Sequence, residues 1–461
     1  MDSLRLASFG VRGFVGVSLT PRVILNFAAA FGTYLDGGRV LLGSDTRYSS
    51  PMIHDAALSS LLAAGCEVLN FGICPTPVLQ HCVRVYQADG ALSISGGHRN
   101  AGWNTLTLID RQGALLEPVG GEHVLELFHA GDFKRCDWKN IGTVQPTTDF
   151  FKTYLNALES HIDAEAIRKA QFTVLIDPVG GAGCPFLEPF AQRLNLKLIP
   201  INATPAGYLA REPEPRPRSA LQMAGIIGYV NGDIGFLHSS DLARTSLVTE
   251  TGEPASEEYT FAIIAQHLLS RGKTDPKTTS QHPRALVTNA CTTRTIDDIA
   301  TRHNVPLIKG RGSQVHIVAH LMDEQGALGG EGSGSVVLPA FTPAYDGFLA
   351  MALVLEAMAH SGQPLSALLD ALPRYHIVKR DRRCDSRAAY SAQERLKEGF
   401  GADPDARVSL SDGIRIDWDD GWVHARPSHT QQTMRIISEA VTQPTALARA
   451  EQAIRIVEHR S

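Results

Sequence analysis

Short apolar runs and longer stretches of helical period alternate through most of this chain. A helical stretch over Pro21 to Leu35 precedes a short run, Arg39 to Gly43, which ends at Gly43-Ser44-Asp45-Thr46; a helix over Pro51 to Ala64 and a strand over Glu67 to Phe71 follow. Brief, continuously apolar strands set between helices predict βαβ units and a parallel sheet. The rhythm returns with a strand over Phe172 to Ile176, a turn at Pro178 to Gly183, a helix over Pro185 to Leu194 and a strand over Lys197 to Ile201. The segment Glu212-Pro213-Glu214-Pro215-Arg216-Pro217 reads as a hinge, because each proline lacks an amide donor and cannot continue a helix or a central strand.

A third cycle gives a strand over Arg284 to Thr288, helices over Thr295 to His303 and Val315 to Glu324, a glycine-rich loop over Gly329 to Ser335, and a long helix over Asp346 to His360. Inside that helix Phe348 to Met358 is apolar except for Glu356, which predicts a buried core helix rather than a membrane span. From about Pro373 the period changes to two. Ile414-Arg415-Ile416-Asp417-Trp418 and Trp422-Val423-His424-Ala425, with turn signals at Asp412-Gly413 and Asp420-Gly421, predict a hairpin flanked by helices. The fold class expected is therefore α/β: three similar α/β units, then a smaller α+β unit.

At 461 residues the chain is too long for one core, and two to four domains are expected. With 43% hydrophobic and 20% charged residues it has the composition of a globular protein. A net charge of −5, from 43 basic and 48 acidic residues, gives no basic excess of the kind that marks a nucleic-acid partner, so an anionic ligand must be held by local arginines and backbone amides. The seven cysteines are scattered, without a C-x-x-C, as expected of reduced thiols in a cytoplasmic protein. No secretory leader is expected from the N-terminal residues, and no membrane partner from the apolar runs.

Six segments, in order and spread over the whole chain, resemble the α-D-phosphohexomutase superfamily of phosphoglucomutases, phosphomannomutases and phosphoglucosamine mutases. They are Phe9-Gly10-Val11-Arg12-Gly13, Gly43-Ser44-Asp45-Thr46-Arg47, Ile94 to Asn104, Asp233 to Arg244, Gly329-Gly330-Glu331-Gly332-Ser333-Gly334 and Arg426-Pro427-Ser428-His429-Thr430. The resemblance implies four domains around a central cleft, three similar α/β mixed-sheet domains plus a smaller C-terminal α+β domain. We place them at residues 1–145, 146–252, 253–371 and 372–461. It also implies one loop per domain: a phosphoserine loop, a Mg²⁺ loop with three aspartates, a sugar-hydroxyl loop and a phosphate loop. Together these would move a phosphoryl group between C1 and C6 of a hexose phosphate by positioning and charge stabilisation.

Two of the four loops depart from that pattern. Against Thr-Ala-Ser-His-Asn-Pro and a following Asn-Gly-x-Lys, this chain reads Ser95-Gly96-Gly97-His98-Arg99-Asn100 and Asn104-Thr105-Leu106-Thr107. The nucleophile slot is Gly97, and the lysine slot is Thr107, which cannot exchange a proton near neutrality as a tuned lysine does. Ser95, two residues upstream and about 6–7 Å away along an extended chain, is the candidate substitute; its simpler role is a backbone-bonding loop hydroxyl. Against Asp-x-Asp-x-Asp-Arg, the metal loop reads Ser239-Ser240-Asp241-Leu242-Ala243-Arg244. One carboxylate is a poor Mg²⁺ site, so we expect no metal cofactor. Arg244 can either pair with Asp241 or reach a ligand phosphate.

The recognition loops are kept. Glu331 and Ser333 match the residues that bond sugar hydroxyls in the family, and Arg426, Ser428 and Thr430 match its phosphate grip. Arg12 matches a family arginine facing the active site, while Arg47 either does likewise or pairs with Asp45 to order its loop. Lys309 and Arg311 can meet a phosphate or simply be solvated. The expectation is a protein, monomeric or homodimeric, that binds a hexose phosphate and lacks or has altered the mutase chemistry. The alternatives are another enzyme of phosphorylated sugars, with His98, Arg99 and Asp241 as its polar groups, or an unorthodox mutase using Ser95.

Overall fold

The computed structural model describes residues 4–272, 285–384, 386–427 and 433–458. They divide into two compact units, one built from Met1–Ile264 and Ser333–Leu369, the other from Ala265–Gly332 and Asp370–Ser461.

The first unit contains two mixed sheets. Strands β1 (Arg5–Ala7), β2 (Gly10–Phe14), β3 (Arg39–Ser44), β4 (Glu67–Ile73), β5 (Gly90–Ile94), β6 (Trp103–Asp110) and β7 (Val144–Pro146) pair in the order β1-β2-β6-β5-β3-β4-β7. The central strands β3 and β5 are parallel and nearly wholly buried, as their unbroken apolar runs require. Thr20 caps the helix Pro21–Tyr34 through the Val23 amide, and proline occupies its first position, where the missing N–H has no intrahelical partner to lose. Strands β8 (Thr173–Asp177), β9 (Lys197–Pro200), β10 (Ile234–His238) and β11 (Thr245–Thr249) form the second sheet in the order β11-β10-β8-β9, with only β10–β11 antiparallel.

In the second unit β12 (Leu286–Asn289) lies parallel to both β13 (Leu307–Gly310) and β14 (Leu328–Glu331). The chain then returns to the first unit with β15 (Ser335–Val337) and the helix Gly347–Ser361. That helix is buried over Gly347 to Met358, Glu356 included, as the sequence predicts; the Glu356 carboxylate is used, accepting from the Asp163 amide at 2.7 Å. The second unit closes with an antiparallel sheet of β16 (His376–Arg383), β17 (Arg407–Ser409), β18 (Ile414–Trp418), β19 (Gly421–Pro427) and β20 (Thr433–Ala440), in the order β16-β20-β19-β18-β17 and flanked by the helices Ser386–Gly401 and Gln443–Glu458.

Three expectations need correction. The glycine-rich stretch is not all loop: Gly329 to Glu331 end strand β14, where the Gly330 carbonyl accepts from the Thr288 hydroxyl at 2.9 Å. The hairpin turn is Asp419-Asp420, not Asp420-Gly421. Gly421 opens β19 because a Cβ there would lie 2.1 Å from the Glu439 carbonyl of the neighbouring strand. The strand expected over Arg284 to Thr288 runs over Leu286–Asn289, and Arg284 lies outside the described residues. No helix among the described residues is long and apolar enough to cross a membrane.

Candidate functional site

The loop between β5 and β6 carries Gly97 in the left-handed region, at φ +54°, which a glycine adopts without penalty. A Cβ built there would lie 2.9 Å from Asp241 Oδ2, with no other residue beyond its chain neighbours within 4 Å among the described residues. The nucleophile slot and the first-unit metal loop therefore face each other, and the slot holds no oxygen. Ser95 does not fill it: its hydroxyl donates to Asp45 Oδ2 at 2.9 Å and accepts from the Gly97 amide at 3.1 Å.

Arg47 forms the floor of this loop. Its side chain is 1% exposed, is paired with Asp45, and donates to Ser240 Oγ at 2.8 Å and to the carbonyls of Gly97 at 3.3 Å and Arg99 at 2.7 Å. Of the two roles the sequence left open, the structure shows the loop-ordering one. Asn104 is also structural: it is buried, and its amide reaches the hydroxyls of Ser49 and Ser50 at 3.1 and 3.2 Å.

In the metal loop, Asp241 Oδ1 accepts from Ser239 Oγ at 2.6 Å and from the Ala243 amide at 3.1 Å. The serine that stands in a carboxylate slot thus hydrogen-bonds the surviving carboxylate instead of offering a second hard ligand. A Mg²⁺ ion wants near-octahedral oxygen coordination and is anchored by carboxylates; this loop supplies one, already half engaged, and does not fit the ion. His238 is no substitute ligand. It is fully buried, with Nδ1 3.0 Å from Thr245 Oγ1 and Nε2 3.2 Å from Met351 Sδ, and burial pushes its pKa down to about 3.

Arg244 does not pair with Asp241. Its guanidinium donates to Glu214 Oε1 at 2.9 Å, and Glu214 Oε2 pairs with Arg216 at 2.6 Å. Sequence reasoning treated the 212–217 segment as a hinge and missed this. The signal was present in the alternation of proline with charge, which holds the backbone extended and presents the intervening side chains. Arg12 donates through Nε to Thr105 Oγ1 at 3.0 Å. Burial first, then Arg99, Arg5 and Arg244, lower its pKa to about 10, against the opposing pull of Asp241. His98 is hemmed in, although part of its surface stays open. Burial first, then Arg244, Arg99, Arg12 and Arg216, hold it well below the usual histidine range, so it is neutral. Thr107 sits in mid-sheet on β6, opposite Ser93 on one side and Gly10 on the other.

In the second unit Glu331 ends β14 at 8% exposure, and its Oε1 has no hydrogen-bond partner among the described residues. A buried carboxylate oxygen left so is an acceptor waiting for a donor. Arg426 pairs with Asp412 at 3.0 Å, and Asp412 also accepts from the Gly312 amide at 3.3 Å. A Cβ added at Gly312 would lie 3.3 Å from Arg426, 3.4 Å from Asn289 and 3.7 Å from Glu331, so these three converge on one small space. Asn289 and Asp412 were not foreseen from the sequence. Lys309 is paired with Asp297 at 2.7 Å. The hydroxyl of Ser333, in the first unit, lies 3.1 Å from that of Ser335. Ser428 and Thr430 lie outside the described residues.

Models of the phosphoglucomutase/phosphomannomutase α/β/α domains match this chain three times: domain I over residues 6–135, domain II over 152–252 and domain III over 256–375. A phosphoglucomutase/phosphomannomutase of Thermococcus kodakarensis is 33% identical over 459 residues, covering 98% of each chain. Among solved structures, a phosphoglucomutase/phosphomannomutase family protein from Burkholderia thailandensis is similar at a TM-score of 0.82 and 21% identity, covering 98% of this chain and 97% of that one. The phosphoglucomutase pp63/parafusin of Paramecium is similar at 0.78 and 17% identity, covering 99% and 95%. Three α/β domains with a sheet-rich C-terminal domain, matched by sequence over nearly the full length, make this chain a member of the α-D-phosphohexomutase superfamily.

Proposed function

We propose that this chain binds a hexose phosphate and does not pass a phosphoryl group through a serine. The observation that carries the reading is the geometry at Gly97: a left-handed residue with no side chain faces Asp241, while the hydroxyl of its own loop, Ser95, is turned into Asp45, and that of Ser240 on the facing loop donates to the Gly97 carbonyl. Glu331 would accept from a sugar hydroxyl, and Arg426, with Ser428 and Thr430, would grip a phosphate. Arg12 and Arg244 would meet negative charge in the first unit. No step runs through Mg²⁺, because the loop that would hold it offers one carboxylate. Free thiols at Cys66, Cys74, Cys82, Cys136 and Cys184 support a reducing, cytoplasmic setting.

The test is incubation of the purified chain with glucose 1,6-bisphosphate, followed by mass spectrometry and a coupled assay from glucose 1-phosphate to glucose 6-phosphate. The reading expects no covalent phosphate and no turnover, with saturable binding of a hexose monophosphate by calorimetry. A phosphate adduct mapped to Ser95 would instead establish the unorthodox mutase.

A further inference from the structure

His424 stands on the same face of β19 as Arg426, two residues along, while Val423 and Ala425 join the core on the other face. Its residue exposure is 1%. Burial, the largest cause, lowers its pKa to about 4 against the pull of Asp412, so the ring is neutral. Its Nε2 lies 2.6 Å from the Asp412 carbonyl. A carbonyl only accepts, so Nε2 carries the proton and Nδ1 is the bare acceptor. Nδ1 is buried and has no hydrogen-bond partner among the described residues. A buried ring with an idle acceptor costs stability that an apolar side chain of similar size would not. Packing alone is therefore a poor reason for a histidine here.

The Asp412-Gly413 turn supplies a better one. The Asp412 carboxylate accepts from Arg426 Nη1, at 3.0 Å through Oδ2 and 3.3 Å through Oδ1. Both contacts use one nitrogen, so the rest of the guanidinium fork is not spent on Asp412. Gly413, at φ +79°, backs onto the stem of the same arginine: a Cβ there would lie 3.0 Å from Arg426 Cα and 3.0 Å from its Cβ. One turn thus touches Arg426 at stem and head, and His424 holds that turn by its backbone. We propose that His424 is a positioning residue for Arg426: its Nε2–H fixes the Asp412-Gly413 turn, and the turn fixes the guanidinium in the pose that grips a phosphate. An arginine ordered beforehand loses less freedom when the ligand arrives, which tightens binding. The inference deepens the hexose-phosphate reading and rests on it for the role of Arg426.

Calorimetry of the full chain with glucose 6-phosphate, beside urea denaturation, tests it. His424→Leu removes the donor and the idle acceptor together. It should bind roughly tenfold more weakly, while its urea midpoint stays level or rises. His424→Asn, whose shorter amide falls short of the Asp412 carbonyl, should weaken binding likewise. His424→Gln, which carries a donor about as far out as Nε2, should keep the parent's affinity. A role in folding alone would instead move the midpoint and leave the affinity. Labelling of Arg426 by phenylglyoxal, read by mass spectrometry, reports the same hold without a ligand, and should be faster in the Leu and Asn variants than in the parent and the Gln variant. Should His424→Leu fail to fold, the Asn and Gln variants carry the comparison. If the parent binds glucose 6-phosphate and the Leu and Asn variants bind it equally well, or if the Gln variant is as weak as they are, this inference falls and the hexose-phosphate reading stands. If the parent does not bind glucose 6-phosphate, that reading falls and the labelling decides: equal rates in parent and Leu variant overturn the inference, and a faster rate in the variant upholds it.

Discussion

Replacing Gly97 by serine restores the side chain that the family motif carries at this position, and the structure sets what that costs. A residue with a Cβ held at φ +54° is strained by about 1–2 kcal/mol relative to glycine. The new Cβ also lies 2.9 Å from Asp241 Oδ2, too close to be tolerated, so the carboxylate must swing away. Its other oxygen is held by Ser239 Oγ at 2.6 Å and the Ala243 amide at 3.1 Å. Losing one such charge-assisted bond costs about 1.5–3 kcal/mol. Gly97→Ala should therefore lose about 2.5–5 kcal/mol of stability, and Gly97→Ser somewhat less, because its hydroxyl can donate to Asp241 and recover about 1 kcal/mol.

Urea denaturation followed by tryptophan fluorescence reads this, at a slope of about 3 kcal/mol per molar, as a midpoint lowered by roughly one to one and a half molar, with alanine worse than serine. The serine variant should gain little mutase activity, since Ser239, Ala243 and Thr107 still replace the metal ligands and the lysine. Adding Ser239→Asp, Ala243→Asp and Thr107→Lys together is the minimum set expected to produce bisphosphate-dependent turnover. The reasoning is refuted if Gly97→Ser is as stable as the parent and takes up stoichiometric phosphate on its own.

Arg47→Met removes the partner of the buried Asp45 and three further loop contacts; leaving that carboxylate uncompensated should cost about 3–5 kcal/mol, and an unchanged urea midpoint would show the pair to be dispensable. His81 is stacked on Phe341 with both ring nitrogens buried, and burial pushes its pKa down to about 4, so it must gain a proton on unfolding in acid. Its contribution is fully present above pH 6.5 and is lost as the pH falls toward 4; Asp346, raised to about 6 by burial, works the opposite way over the same window, its stabilisation growing as the pH falls through 6. His81→Phe should accordingly gain more stability at pH 4.5 than at pH 7.5, and parallel urea midpoints at the two pH values would rule out the histidine as a source of acid lability. Millimolar Mg²⁺ or its removal by EDTA should shift neither the melting temperature nor hexose 6-phosphate affinity, checked by thermal shift and calorimetry; a metal-dependent gain in either would mean that ligands other than Asp241 are recruited.

Local signals carried most of the fold. Alternating apolar runs and helical periods placed the helices Pro21–Tyr34, Thr295–His303 and Gly347–Ser361 to within a residue or so, because each is framed by residues that cap or break helices whatever surrounds them. Partnerships between distant segments were not legible. Within the protein, Arg244 pairs not with Asp241, the partner the motif suggested, but with Glu214, thirty positions away along the chain. Arg47 could have faced the site, and its near-complete burial under the Gly97 loop depends on three segments meeting. The strand residues Gly329 to Glu331 read as loop because glycine has no periodicity to display, although a buried parallel strand accepts it where a neighbour's hydroxyl reaches the backbone. Burial and pairing are properties of the assembled chain, whereas motif letters such as Gly97 and Asp241 are properties of the string, which is why the motifs could be named before their surroundings.

The departures from the family pattern also balance in charge, which no single loop reveals. In the metal loop, two aspartates are replaced by Ser239 and Ala243; if the divalent ion they served is gone as well, the loop's charge is unchanged. Around the slot, a lysine gives way to Thr107 while an asparagine gives way to Arg99, so one positive charge leaves and another arrives. The one unbalanced loss is the phosphoserine itself, a group of charge about −1.5 to −2. Random decay of an active site would have no reason to conserve charge everywhere except at the nucleophile. A site that still receives a phosphate, without bonding to it, would need that pattern: charge-balanced substitutions at the metal-loop and lysine positions, and an emptied slot at the nucleophile position.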